Sequence, residues 1–368
     1  MSHVAVTGAN GFIGSHIVAE LLQRGHEVTA LVGTDIDTHL LAGLPVEVRI
    51  FDLRDRASVR SALDGAETVI HSAACYAFWK ADPREIYRVN VDGTRHVMDA
   101  ARDLGVRKVV YTSSTATLSP SWRTHDDANP HGDEEGVFDL RRFRGHYKMS
   151  KAMAETVALR AAARGLPLVI THPTTVIGAG DCRPTPRGSM IQHYINGHMK
   201  VFVEMAQNVV DVRDVATGHV LALEKGAAGE RFVLGGDNLS MRELLAILAE
   251  LTGIPAPRVA LPLPLLHVVG HVMEWIADTI THREPAATRE AALHARDSRY
   301  VSIEKACREL GYAPRPARAV LADAVRFFTS EGYCKPVAAE RILQRPQLDA
   351  ALRSTFSVPE CQPRVEGQ

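Results

Sequence analysis

Tyr147 and Lys151 stand four residues apart in a stretch with helical patterning, near 147–164, so both side chains fall on one helix face and can reach a common ligand. A free tyrosine has a pKa of about 10 and is a poor proton donor or acceptor near neutrality. A neighbouring ammonium favours the phenolate, which would bring Tyr147 into a useful range as a general acid/base. On its own, Y-x-x-x-K is a frequent chance pairing on an amphipathic surface. It gains meaning from Thr7-Gly8-Ala9-Asn10-Gly11-Phe12-Ile13-Gly14, which follows the apolar run Val4-Ala5-Val6 and precedes Ile17, Val18, Leu21 and Leu22 at helical spacing. That is a strand, a tight turn and a helix start. Glycines there let the backbone approach a pyrophosphate, which then sits on the unpaired N–H groups of the helix N-terminus. Together the two strings imply nicotinamide-dependent redox chemistry with a tyrosine acid/base.

A third element completes the set. Lys108-Val109-Val110-Tyr111-Thr112-Ser113-Ser114-Thr115 is an apolar strand ending in hydroxyls. A hydroxyl beside the phenol can hold a substrate oxygen as charge develops on it, while other hydroxyls satisfy the backbone at the strand end. Ser114 is the choice for the catalytic role, with Ser113 and Thr115 behind it.

These residues need a scaffold. Short apolar runs at His3–Thr7, Glu27–Val32, Val46–Phe51, Thr68–Ser72, Lys108–Ser113 and Pro167–Thr171 alternate with helical patterns near 12–24, 55–63, 83–104 and 147–164. Such alternation predicts an α/β fold, a doubly wound parallel sheet covered on both faces, with a smaller C-terminal substrate-binding lobe. Ligands then bind at the carboxyl ends of the strands, where the glycine turn, Thr112 to Ser114 and His172-Pro173 all fall. Residues 1–172 are expected to form the dinucleotide-binding domain, with 208–224 returning to it. Residues 173–207 and 225–335, broken by prolines, form the lobe, and 336–368 a C-terminal extension ending in a loose tail.

Bulk properties narrow the partners. The 368 residues are 46% hydrophobic and 23% charged with a formal net charge of −1, so nothing electrostatic argues for nucleic acid or an anionic membrane. The apolar stretch Val259 to Ile280 is interrupted by prolines, Glu274 and Asp278 and reads as an amphipathic helix, not a transmembrane span. The first strand is expected to begin at His3, so no signal peptide is expected. Five scattered cysteines without metal-like spacing read as reduced thiols, hence a cytoplasmic protein. The seventeen histidines show no metal-ligand pattern, so no metal is expected, and His71 and His172 read as structural. The chain is expected as a monomer or homodimer.

The ordered motifs resemble the extended short-chain dehydrogenases/reductases, in particular the dihydroflavonol-reductase-like branch with its hopanoid-associated proteins named sugar epimerases. The resemblance runs from Val4 to about Phe328 through the glycine string, Asp52-Leu53, His71-Ser72-Ala73-Ala74, Asn90-Val91-Asp92-Gly93-Thr94, Tyr111-Thr112-Ser113-Ser114, Tyr147-Lys148-Met149-Ser150-Lys151, His172 to Gly178 and Val212 to Ala216. It implies that Gly8, Gly11, Phe12, Ile13 and Gly14 hold the pyrophosphate and Asp52-Leu53 the adenine. By the same resemblance Ala73 and Ala74 line the cofactor with Thr112 and Ser113 nearby, Pro173 through Val176 meet the nicotinamide carboxamide, and Asn90 completes the catalytic set. Lys151 would also donate to the cofactor ribose.

One position departs from the branch. About twenty residues past the glycine motif an acidic residue normally marks NAD and an arginine NADP. Here Val32-Gly33 stands, followed by Thr34, Asp35 and, two residues on, Asp37, which leaves NAD(H) and NADP(H) equally open. On the substrate side, Tyr76, Phe78 and Trp79 would rim the pocket and suit an apolar or aromatic carbonyl compound, unless they pack the lobe interface. Lys80, Arg84, Arg123 and Arg183 could meet an anionic substrate or simply be solvated. The expected activity is NAD(P)H-dependent reduction of a ketone or aldehyde, or the reverse alcohol oxidation. The alternatives are a nucleotide-sugar epimerase with tightly bound NAD(P), a 3-beta-hydroxysteroid dehydrogenase-like enzyme, and a catalytically dead cofactor sensor. Dehydration is disfavoured because Thr115-Ala116-Thr117 stands where dehydratases place an Asp-Glu pair.

Overall fold

The computed structural model describes residues 1–34, 37–75, 82–118, 132–134, 145–281, 293, 295 and 299–351. The chain opens with β1 (His3–Thr7), α1 (Phe12–Gln23), β2 (Glu27–Val32), β3 (Glu47–Ile50), α2 (Arg56–Ala62) and β4 (Thr68–His71). It continues through α3 (Pro83–Tyr87), α4 (Gly93–Asp103), β5 (Lys108–Thr112), α5 (His146–Ala163) and β6 (Leu168–Pro173). The expected helix 83–104 is therefore two helices joined by a wide turn at Arg88–Asp92. Such widened turns recur at functional sites because they re-aim a side chain, and this one carries Asn90. Gly93 begins α4 where a Cβ would lie 3.1 Å from that of Leu53, so the Asp52-Leu53 segment approaches the helix closely at a glycine.

Seven parallel strands form the main sheet in the order β10-β6-β5-β4-β1-β2-β3, where β10 is Arg231–Leu234. The chain winds outward in both directions from β1 and β4, so their carboxyl ends flank a crevice at Thr7 and His71. One face buries Ile17, Val18 and Leu21 of α1. The other buries Val59, Val97, Ala101, Ala154 and Ala158 from α2, α4 and α5. Each fully buried Val, Leu or Ile contributes about 1.5–3 kcal/mol, which is why these strands read as unbroken apolar runs.

Beyond β6 come β7 (Thr175–Ile177), α6 (Pro186–Ile195), β8 (Val201–Phe202), β9 (Ala206–Asp211), α7 (Val212–Lys225), then β10 and β11 (Asp237–Ser240). The segment expected to return to the main domain divides. β9 joins a three-stranded sheet with β7 and β11, whereas α7 packs on the main sheet beside α1, burying Ala216, Val220 and Ala222. β10, from the part expected to belong wholly to the lobe, is the edge strand of the main sheet, its register Leu234 opposite Pro173. Its buried triplet is covered on both faces, Phe232 and Leu234 in the core shared with α7 and Val233 against Leu118 and Val301.

The second core gathers Leu244 and Leu248 of α8 (Met241–Thr252) and Ile191 and Ile195 of α6. Val320 and Phe328 come from the helix Ala317–Ser330. A capping box, Ser240 with Glu243, starts α8, and Gly253 at φ +72° ends it. After β12 (Val259–Ala260), α9 (Leu263–Ile276) is followed by a wide turn to Thr281. Among the described residues no helix is long and apolar enough to cross a membrane. In the C-terminal extension Pro336–Leu343 and Pro346–Ala350 are helical. Among the described residues Cys75, Cys307 and Cys334 are free thiols.

Candidate active site

The β1–α1 turn is built by close backbone approaches. Gly8 has φ +69°, and a Cβ on it would lie 2.8 Å from the Cα of Ala73, so the turn and the β4 exit touch. A Cβ on Gly14 would lie 2.0 Å from the Gly8 carbonyl oxygen, which lets α1 begin directly against the turn. The amides of Gly8 and Ala9 donate to Leu31 O (2.9 and 3.3 Å), and Gly11 N donates to Gly8 O (2.9 Å). Gly11 caps α1 without a side-chain hydrogen bond. First-turn N–H groups are thus left for an anion. The cradle fits a dinucleotide pyrophosphate, with Phe12 and Ile13 opening the helix beneath it.

Thr7, His71 and Thr94 lock the crevice floor. Thr7 Oγ1 accepts from Ala73 N (3.1 Å) and meets His71 Nδ1 (2.8 Å), while His71 Nε2 meets Thr94 Oγ1 (3.1 Å). Burial, then the charge of Lys151, pushes His71 down to about 3, so the imidazole stays neutral. Asn90 spends its amide on neighbours. Its Oδ1 accepts from Cys75 N (2.7 Å), and its Nδ2 donates to Cys75 O (3.1 Å) and Ser150 Oγ (2.9 Å). Ser150 Oγ in turn donates to Tyr147 O (2.8 Å). This geometry makes Asn90 a clamp between the β4 exit and the helix carrying Tyr147.

On α5, Tyr147 and Lys151 are both buried. Lys151 Nζ donates to Thr112 O (2.8 Å) and lies 5.2 Å from the Tyr111 ring centroid. Burial pushes its ammonium down to about 8. The strand-end hydroxyls are sorted by their partners. Thr112 Oγ1 meets His219 Nε2 (2.9 Å), Ser113 Oγ donates to Glu155 Oε2 (2.5 Å), and Thr115 Oγ1 donates to Pro173 O (3.3 Å). Ser114 is extended, half-buried, and caps a single turn, Thr115–Thr117, its Oγ accepting from Ala116 N (3.2 Å). That turn packs against α5. Of these hydroxyls Ser114 is the one whose proton no described hydrogen bond uses.

The remaining predicted positions fall as follows. Pro173 ends β6 and Val176 lies half-buried in β7. Ala74 is exposed on the β4 exit. Both Asp52 oxygens accept from the Arg54 guanidinium (2.8 Å each at best), whose other arm reaches Glu85 (2.8 Å). That pairing holds Asp52 below the usual carboxylate range, so an adenine at Asp52-Leu53 would share it with Arg54. Gly33 leaves β2 beside the glycine turn, and a Cβ there would meet nothing within 4 Å. Asp37 is tied to His39 and to Arg183 (3.0 Å), and Asn10 Nδ2 donates to its carbonyl (3.1 Å). Asp35, Tyr76, Phe78, Trp79, Lys80 and Arg123 lie outside the described residues. A cavity of about 70 Å³ opens beside Thr115 and Lys148, with Thr175, Gln207, Arg187 and Arg299 on its walls. Sequence reasoning did not single out Glu155, although its place four residues past Lys151 on the same helix face was visible.

A glycine cradle at the sheet's reversal point and a tyrosine–lysine pair across the crevice define a dinucleotide-dependent enzyme. The model of the NAD dependent epimerase/dehydratase family matches residues 4–235, and the chain belongs to that family as an NAD(P)-dependent extended short-chain dehydrogenase/reductase. It is 35% identical over 330 residues to sterol demethylase protein B of Methylococcus capsulatus, covering 89% of this chain and 98% of that one. It is 30% identical over 329 residues to a Stigmatella aurantiaca 4-hydroxy-2-methyl-3-oxo-4-farnesyl-3,4-dihydroquinoline-1-oxide ketoreductase, covering 87% and 95%. The crystal structure of gox2253 superposes with a TM-score of 0.79 at 38% identity, covering 91% of this chain and all of that one.

Proposed function

We propose that the protein reduces a ketone or aldehyde with NAD(P)H, or oxidises the corresponding alcohol. The observation that carries this reading is that Tyr147 and Lys151 are both buried on α5, with Lys151 fixed on Thr112 O, and that α5 packs against the turn capped by Ser114. The bound nicotinamide supplies or accepts the hydride. Ser114 Oγ donates a hydrogen bond to the substrate oxygen. Tyr147 Oη transfers its proton to that oxygen during reduction and recovers one from solvent. Lys151, fixed on Thr112 O, offsets the phenolate charge left behind. Asn90 acts through Ser150 and the Tyr147 backbone instead of touching substrate. Ketones similar in class to those of the ketoreductase relative, and steroid ketones, head the substrates to screen, with both cofactors. Tyr147→Phe removes only the ionisable hydroxyl. It should leave cofactor affinity, read by nicotinamide fluorescence, nearly native while turnover falls by roughly 10²–10⁴-fold. Near-native turnover in this variant would remove Tyr147 as proton donor and the mechanism with it.

A second reading is nucleotide-sugar epimerisation. The polar cavity with Arg187 and Arg299 on its walls favours it, since guanidinium groups suit phosphates. Such an enzyme regenerates its cofactor each cycle, so protein purified with stoichiometric dinucleotide retained would support it, and cofactor-free protein would argue for the reductase.

A further inference from the structure

Glu155 follows Lys151 by one helical turn, and its side chain is wholly buried. A buried carboxylate is costly unless its lone pairs are filled, and these are. Oε2 accepts from Ser113 Oγ (2.5 Å) and Thr117 Oγ1 (2.6 Å), and both oxygens meet His172 Nε2 (3.1 and 3.2 Å). Arg231 of β10 approaches Oε1 at 3.9 Å. Burial alone would raise this carboxyl, but His172 and the two hydroxyls outweigh it and hold it at about 2. Thr117 Oγ1 also lies 2.7 Å from Ser114 O, so its single proton is shared between Glu155 and the backbone of Ser114.

We propose, building on the reductase reading, that Glu155 is a positioning residue of this site: one buried carboxylate that fastens the turn presenting Ser114 and supplies counter-charge to the Lys151 ammonium. The groups around Lys151 leave that second role to Glu155. Tyr147 shares its helix, Tyr111 and the Thr112 carbonyl face it from β5, and neutral His71 faces it from β4. His219 of α7, behind Thr112, is pushed down to about 4 by burial and is neutral too. His172 and Arg231 pair with the carboxylate itself. Among the described residues Glu155 is the charge that favours the ammonium against burial.

The test uses the full chain with NADH and NADPH as probes, following nicotinamide fluorescence against pH, beside turnover of the ketone or aldehyde best reduced. Native cofactor binding should weaken above pH of about 8 as Lys151 loses its proton. Glu155→Gln keeps an acceptor for the hydroxyls but removes the charge, so the alkaline limb should move about half a pH unit or more to lower pH. Glu155→Asp keeps the charge but withdraws it by one methylene, so the limb should stay in place. Turnover should fall about tenfold or more in both. A limb unmoved in Glu155→Gln that binds cofactor, or moved in Glu155→Asp, overturns the proposal. If Glu155→Gln does not fold, Glu155→Asp decides, with native turnover overturning the role. Tyr147→Phe run in parallel separates the two readings. Retained turnover there defeats the reductase mechanism, whereas its loss beside native Glu155 variants defeats only this assignment.

Discussion

Gly33→Arg probes the position past β2 where the sequence offers glycine and a charged residue would select between NAD(H) and NADP(H). Gly8 N and Ala9 N both donate to Leu31 O, so the residues just past β2 emerge beside the pyrophosphate cradle, where the adenosine ribose of a bound dinucleotide belongs. Glycine there makes no charged contact, and the nearby Asp37 carboxylate is already held by His39 and Arg183. Native discrimination between NAD(H) and NADP(H) should therefore be modest. A Cβ at Gly33 meets nothing within 4 Å and the residue needs no left-handed backbone, so an arginine is accommodated without strain. A guanidinium pairing with the 2′-phosphate makes charge-assisted hydrogen bonds of about 1.5–3 kcal/mol. At about 1.4 kcal/mol per tenfold, preference should shift toward NADP(H) by roughly tenfold to a hundredfold. The site is partly exposed, so the shift should shrink at high salt. The assay is the ratio of catalytic efficiencies, or of dissociation constants by fluorescence, for both cofactors in both proteins. An unchanged ratio in a folded variant would mean that position 33 does not face the ribose.

Two further outcomes follow from the packing. Lys151→Met removes the ammonium seated on Thr112 O, so turnover and cofactor affinity should fall together, the affinity by roughly tenfold; a change in substrate KM alone would contradict that role. Asp181 is buried, accepts from Thr185 N and Oγ1, and is pushed up to about 7 by burial. A carboxyl raised in the folded state contributes fully below its unfolded pKa of about 3.9 and loses that contribution as pH rises through the folded value. Asp181→Asn should accordingly gain in Tm over the native protein between pH of about 5 and 8, by the equivalent of a few kcal/mol at most. A flat Tm difference across that range would show that Asp181 is not neutralised in the fold.

The parts legible in the sequence are those decided within a few residues. A strand, a glycine turn and a helix start lie in one continuous string, and the Tyr147–Lys151 face follows from helical periodicity. The first two strands run His3–Thr7 and Glu27–Val32, as their apolar runs predicted, because buried parallel strands carry no competing pattern. What only tertiary structure decided depends on partners far away in the chain. Ser113 and Ser114 are equivalent as letters; Glu155, forty-two residues on, takes the Ser113 proton and leaves that of Ser114 uncommitted. Asn90 becomes a clamp because Cys75 and Ser150 arrive on either side of it. β9 and β10 flank the same helix, α7, yet they join different sheets, because pairing with β7 and with β6 is set by where the lobe packs. Local sequence sets which conformation a segment prefers. Burial of a polar atom makes its hydrogen-bond partner obligatory, and the completed fold determines which partner is within reach.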